Sequence, residues 1–548
     1  MAKAQDRRLR GSFTLGGEQA EADPLLTDGF FESGQFLAAA SQQDPRCFLV
    51  GRTGVGKSAV LQRLEQQDYQ HVIRITPEDL SLPYIADLGV LQYLNALNVH
   101  LDPLFIALWK HVLLIEIIRK RYKVDTPAAK QNFLSTLMDK IRRDRSKAAA
   151  LEYLEEFEGK FWCETDERVK DITTRFENQI RDEAGGDLSL PGIGGAKATT
   201  SDAETRSTET RVEQAERFQR IVNETQLPRL NKMITVLDED ILDDPQNYTL
   251  IVIDDLDRDW ADEQVANALI RCLFRAVIDL KRVRNLKILV GLRTNIFQAL
   301  DFGAKTGGQE EKFRSLTMQL RWTPADMEAL LSARARAAAA LHDLPSISGV
   351  KDLLPATNKT RGNALEYVLR RTLLRPRDAV AYFNECLALT GGKPRITWDM
   401  IHSAERPYSK NRLLALRDEW KPNYPGIERV FQAFEATPVL LDRDRCRQIF
   451  EDVALLTTDP SFAGSRWITS LTEPIWNARA DDSWEDMYSA IVALLFEVGF
   501  LGCGAGARGE VVFAQDDSSY LAIRSNLERC TIFSVHPAFR SALDIRHD

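Results

Sequence analysis

Gly51-Arg-Thr-Gly-Val-Gly-Lys-Ser58 follows the apolar run Cys47-Phe-Leu-Val50 and runs into Ser58-Ala-Val-Leu-Gln-Arg-Leu64, which reads as strand, glycine-rich turn and helix. The spacing G-x-x-x-x-G-K-[ST] is that of a phosphate loop. Its glycines let successive backbone N–H groups converge on phosphate oxygens, and the following helix adds the positive end of its dipole. On this reading Gly51, Arg52, Thr53, Gly54, Val55, Gly56, Lys57 and Ser58 cradle the phosphates. Lys57 brings a cation to the β and γ phosphates, and the Ser58 hydroxyl coordinates Mg2+. A chance glycine turn is the alternative, and the strand before it and the helix after it weigh against that.

Working outward, Tyr248-Thr-Leu-Ile-Val-Ile253 is a continuous β-rich apolar run, as expected of a strand covered on both faces. It ends in Asp254-Asp255. A carboxylate there stands beside the Mg2+ shell, so Asp254 is the expected metal residue, acting through water. Asp255 is the expected residue to polarise the attacking water, one methylene shorter than the Glu many ATPases use. For the acidic run Asp254-Asp-Leu-Asp-Arg258 alone, the alternative is a solvated strand-end loop. A further strand, Lys287-Ile-Leu-Val-Gly291, leads into Leu292-Arg293-Thr-Asn295. Arg293 is the first candidate to sense the γ-phosphate and Asn295 the second; capping of the next helix is an equal alternative. Leu374-Arg-Pro-Arg-Asp378 places two guanidinium groups at a helix start, as a second sensor or as surface ion-pair partners.

Val72–Ile75 and Leu316–Trp322 complete the expected strands. The expected fold class is α/β, a P-loop parallel sheet with a large helical insertion, a following α-helical domain and a winged-helix-like C-terminal domain. The expected division is 1–100 and 241–322 for the core, 101–240 for the insertion, 323–470 for the helical domain and 471–548 for the winged-helix-like part. Within the insertion, Ala184–Arg211 is too rich in Gly, Ser and Thr to support a core and reads as a loop. The winged-helix outline rests on a helix, Trp484–Val498, then a glycine-rich turn and short strands at Val511–Ala514 and Thr531–Val535.

The chain has 548 residues, and 80 acidic against 71 basic side chains give a net charge of −9, so there is no global nucleic-acid footprint. Local basic runs remain, Arg119-Lys-Arg-Tyr-Lys123 and Arg142-Arg-Asp-Arg-Ser-Lys147. They track a nucleic-acid backbone or, the favoured reading, pair with Glu152, Glu155, Glu156 and Glu158. The apolar stretch Leu104–Ile118 is broken by Lys110, His111 and Glu116 and is too short to span a bilayer, so it reads as a buried helix. The N-terminus reads as no secretory signal, and the seven scattered cysteines exclude a disulfide framework and suit a reducing cytoplasm. No zinc-hydrolase, nuclease or protease signature occurs, and no guanine-specific N-K-x-D marks the chain, which favours ATP over GTP.

GRTGVGKS, the distant LIVIDDLDR and then ILVGLRTN together resemble the KAP and STAND-type P-loop ATPases of the additional-strand division, in particular bacterial members found near antiviral defence genes. RPRDAVAYFNECL, AERPYSKNRL, FEVGFLG and VHPAFRSAL extend the resemblance over most of the chain. It implies ATP with Mg2+, a switch that depends on assembly, and a homo-oligomer or partner protein acting with a separate effector. DNA is a conceivable partner and a membrane is not, since the spans of some KAP proteins are missing. The separation of Ser58 from Asp254 makes the helical block an insertion, where partner or regulatory surfaces are expected.

Overall fold

The computed structural model describes residues 8–66, 71–75, 98–156, 215–216, 219–220, 227–254, 256, 263–300, 313–357, 359–505 and 510–545, and the structural statements below concern these. They form two compact units. Gly34–Arg52 with Lys57–Leu320 is the sheet unit; Met1–Ser33, Thr53–Gly56 and Arg321–Asp548 make the helical unit.

In the sheet unit, α1 (Gly34–Ala40), β1 (Phe48–Gly51), α2 (Lys57–Gln66) and β2 (His71–Ile75) come first. The helices α3 (Asp102–Tyr122), α4 (Pro127–Ile141), α5 (Ala148–Glu156) and α6 (Leu227–Val236) follow. Then come β3 (Thr249–Ile253), α7 (Glu263–Leu280), β4 (Leu286–Arg293), α8 (Thr294–Ala299) and β5 (Thr317–Gln319). All five strands are parallel, in the order β2-β3-β4-β1-β5, so β4 separates the two strands that carry the phosphate-loop and Asp254 motifs. Their sequences explain this burial: TLIVI in β3 is covered throughout, and β4 stays buried up to Leu292, as both-face coverage of a parallel sheet requires. Each strand falls within a few residues of its expected position.

α3 carries Leu104–Ile118 and is the buried helix expected. Pro103 stands in its first turn, and Lys123, left-handed at φ 52°, closes it. Trp109 donates its indole N–H to the Leu269 carbonyl on α7 at 2.8 Å, and Arg271 of α7 meets Asp102 at 2.6 Å. The insertion and the sheet share one apolar core, from Phe48 and Val50 through Leu113 and Ile117 to Phe274 and Val290. Among the described residues the basic runs find acidic partners, while Glu158 and the side chain of Glu156, two of the expected ones, lie outside the description. Arg119 pairs with Glu116 at 2.9 Å, and Lys147 with Asp240 and Glu239 at 2.6 and 3.0 Å, while Glu152 faces Arg229 at 3.6 Å. Among the described residues no helix is long and apolar enough to cross a membrane. Residues 184–211 lie outside the described residues.

The helical unit opens with α9 (Pro324–Leu341), started by a capping box in which Thr323 and Asp326 satisfy each other's backbone N–H. α10 (Ala364–Leu369), α11 (Pro376–Ala388) and α12 (Trp398–Trp420) share a core with Leu9, Phe13 and Leu15 of the N-terminal segment. A second core gathers α13 (Ile427–Gln432), β6 (Leu441–Asp442), α14 (Arg443–Leu455), α15 (Arg466–Trp476), α16 (Trp484–Glu497), β7 (Leu501–Gly504) and β8 (Ile532–Val535). Its sheet is antiparallel, β6-β8-β7. This corrects the expected strands in two respects. Leu501–Gly504, taken for part of the turn, is a strand, and Val512 contributes only an isolated bridge to Cys503. The glycines there serve close packing, not turning: a Cβ on Gly502 would stand 2.5 Å from the Phe513 ring. The third strand, β6, lies inside the stretch expected to be wholly helical.

Candidate nucleotide site

The loop between β1 and α2 turns through two left-handed glycines, Gly54 at φ 80° and Gly56 at φ 100°. Within the helical unit its carbonyls are tied one after another. Thr53 accepts from Arg375 Nη1 at 3.0 Å, Gly54 from the Arg377 backbone N–H at 3.3 Å, and Val55 from the Trp322 indole at 2.8 Å. A trans peptide sets each carbonyl opposite the N–H of the following residue. Each of the three ties therefore leaves the amide of the next residue, Gly54, Val55 or Gly56, facing away from the group that holds its carbonyl. Gly54 is fixed twice over, since a Cβ there would also meet the Arg377 side chain at 3.0 Å.

Within the sheet unit, Lys57 opens α2 and donates its ammonium to the carbonyls of Gly51 and Arg52 at 2.7 and 3.3 Å, with Ser58 next in the same first turn. Asp254 immediately follows β3 and is buried. It is accommodated by the absence of a side chain on the neighbouring strand: a Cβ on Gly291 of β4 would stand 2.7 Å from its Oδ1. Arg74 at the end of β2 lies 3.9 Å from Asp254 and 3.4 Å from Glu65. Burial raises the Glu65 pKa and Asp254 adds to the rise, while Arg74 opposes it. Arg293 pairs in register with Gly51, so the first sensor candidate stands beside the start of the loop. Its side chain makes no capping bond to α8, and Asn295 lies inside that helix rather than at its cap. Asp255, Asp257 and Arg258 lie outside the described residues.

Arg375 is no surface group. It is buried at the N-cap of α11, pairing with Asp378 at 2.8 Å and Glu419 at 3.0 Å. Burial works against its charge, but the two carboxylates outweigh it and hold the pKa above the ordinary arginine value. Burial likewise raises the Asp378 pKa, and Arg375 and Arg412 more than reverse it. Arg412 in turn bridges Asp378 and Glu18 at 3.1 and 2.9 Å. Arg377 donates its Nε to the Glu18 carbonyl at 3.1 Å. Sequence reasoning missed Glu419, whose Oε1 accepts the Thr53 backbone N–H at 3.4 Å. The two stand 366 positions apart in the sequence, so no local pattern could have flagged it.

The residues fit a nucleotide with its metal. The loop's glycines are left-handed, Lys57 and Ser58 stand at the head of a helix, and a buried carboxylate follows the strand beyond β4. Among the described residues no cluster of three or more His, Cys, Asp or Glu could hold a metal. One hydroxyl and one carboxylate suit Mg2+, which keeps several of its waters.

Residues 325–417 match the FunZ-associated C-terminal helical domain. The chain is 22% identical over 452 residues to the "Putative transposon gamma-delta 80.3 kDa protein" of Escherichia coli (strain K12), covering 77% of this chain and 54% of that one. The chain thus spans about half the length of this curated relative. A Walker-type ATPase of Pyrococcus abyssi aligns with 94% of this chain and 96% of its own at 11% identity, with a TM-score of 0.33, a likeness too loose to argue from.

Proposed function

We propose that the chain is a P-loop ATPase that binds and hydrolyses Mg-ATP as a conformational switch or motor. The observation that carries this reading is the loop itself, with Gly54 and Gly56 left-handed and the carbonyls of Thr53 to Val55 tied away from the amide row. The amides of Gly54 to Ser58 and the Lys57 ammonium would hold the phosphates. Ser58 and Asp254 would hold Mg2+, which supplies charge neutralisation at the phosphates when bound. Asp255 would orient water, and Arg293, beside Gly51 in register, would sense the γ-phosphate. An assembly-dependent switch in a bacterial antiviral defence or DNA-linked system, acting with a separate effector, rests on the family resemblance.

The test is steady-state ATP hydrolysis and equilibrium ATP binding for wild type beside Lys57→Ala. Removing the only side-chain cation of the loop's helix head should cost more than about 3 kcal/mol, on the order of a hundredfold in affinity. Binding unchanged in that variant would sink the site assignment.

A second reading is favoured by the transposon name of the curated relative and by the antiparallel three-stranded sheet with three helices between β6 and β7. Here a winged-helix-like C-terminal part engages DNA or a protein, and the nucleotide only sets its conformation. Binding of double-stranded DNA that weakens steeply with salt would support it. Absence of binding at low salt would remove DNA from it.

A further inference from the structure

Of the contacts that the helical unit makes with Thr53–Gly56, one is of the wrong sign for an anion site. The three carbonyl ties favour phosphate by presenting amides. Glu419, at the last turn of α12, instead sets a carboxylate on the Thr53 N–H at 3.4 Å. Its side chain is only 7% exposed, so water screens it little, and Arg375 holds it there from 3.0 Å while binding the Thr53 carbonyl with the same Nη1. Thr53 is thus gripped at both ends of its backbone by one ion pair. The grip is anchored in turn: Arg375 pairs with Asp378, and Asp378 with Arg412, whose own partner is Glu18. Leu374, immediately before Arg375, is left-handed at φ 49°, a conformation that a branched residue keeps only where its surroundings impose it.

We propose that Glu419 is an internal anion on the phosphate loop, an affinity-setting latch that bound phosphate works against and displaces, moving the end of α12. This rests on the nucleotide reading above. A second negative charge brought to the same short loop raises the energy of the buried carboxylate, and the relief available is for Glu419 to leave the Thr53 amide. Because α12 carries both Arg412 and Glu419, release reaches the N-terminal segment through Glu18. The latch thereby converts occupancy of the loop into a change in the helical unit.

The experiment is titration of wild type and Glu419→Gln with N-methylanthraniloyl-labelled ATP and Mg2+, read by fluorescence. Glutamine keeps the shape and a hydrogen-bond acceptor while removing the charge, so affinity should rise about tenfold. A merely structural glutamate would weaken binding when replaced, which would overturn the latch. As a second measurement, hydrogen exchange of wild-type residues 412–420 should quicken on adding Mg-ATP. Equal affinities, or exchange that is unchanged or slowed there, would overturn the latch while leaving the nucleotide site standing. No binding to either protein would overturn the nucleotide reading and the latch with it.

Discussion

Gly291 shows how much one missing methyl group decides. It sits on β4 between Asp254 and Leu61, and an added Cβ would come within 2.7 Å of the carboxylate and 3.2 Å of the leucine methyl. Gly291→Ala should leave the sheet folded at a cost of about 1–3 kcal/mol. It should lower ATP turnover about a hundredfold by pushing Asp254 aside. Turnover within a factor of two of wild type would mean that Asp254 is not where the metal is held. At this scale the sequence spoke clearly where chemistry is local. The phosphate loop and the Asp254 strand end are motifs of contiguous residues. It was silent where chemistry is assembled across the chain: nothing near Glu419 marks it, and Arg375 stayed open between a second sensor and a surface ion pair because its partners Asp378 and Glu419 are one turn and one helix away.

Among elements, β4 is pinned at its start as well as at its functional end. Lys287 is buried and donates to the carbonyls of Ala38 and Ser41 around the end of α1. Burial brings its pKa down to about 8, with Asp44 pulling the other way. From about pH 8 up to the ordinary lysine value, the unfolded chain keeps a proton that the folded chain releases, so stability should rise with pH in that window. Urea midpoints measured from pH 7.5 to 10 should climb for wild type and climb less for Lys287→Met. Parallel curves would show that Lys287 does not titrate there. The elements were legible wherever the apolar pattern was dense, as in β3 and in the buried helix α3. They were misread at β7, where Gly502 makes room for Phe513 and so disguises a strand as a turn.

For the whole molecule, ligand linkage gives a direct check. Mg-ATP at about a hundredfold over its dissociation constant should add about 2.7 kcal/mol to the unfolding free energy, seen as a higher calorimetric transition temperature. Lys57→Ala should show no such shift, and an equal shift in both proteins would place the nucleotide elsewhere. The net charge of −9 and the acidic partners of Arg119 and Lys147 give nucleic acid little to hold on these faces. α3 lies within the segment between β2 and β3, yet its Leu113 and Ile117 are wholly covered in the same apolar core as Val290 and Phe274. The helix is thus a foundation rather than an ornament: a chain without α3 would bare the apolar core it now seals.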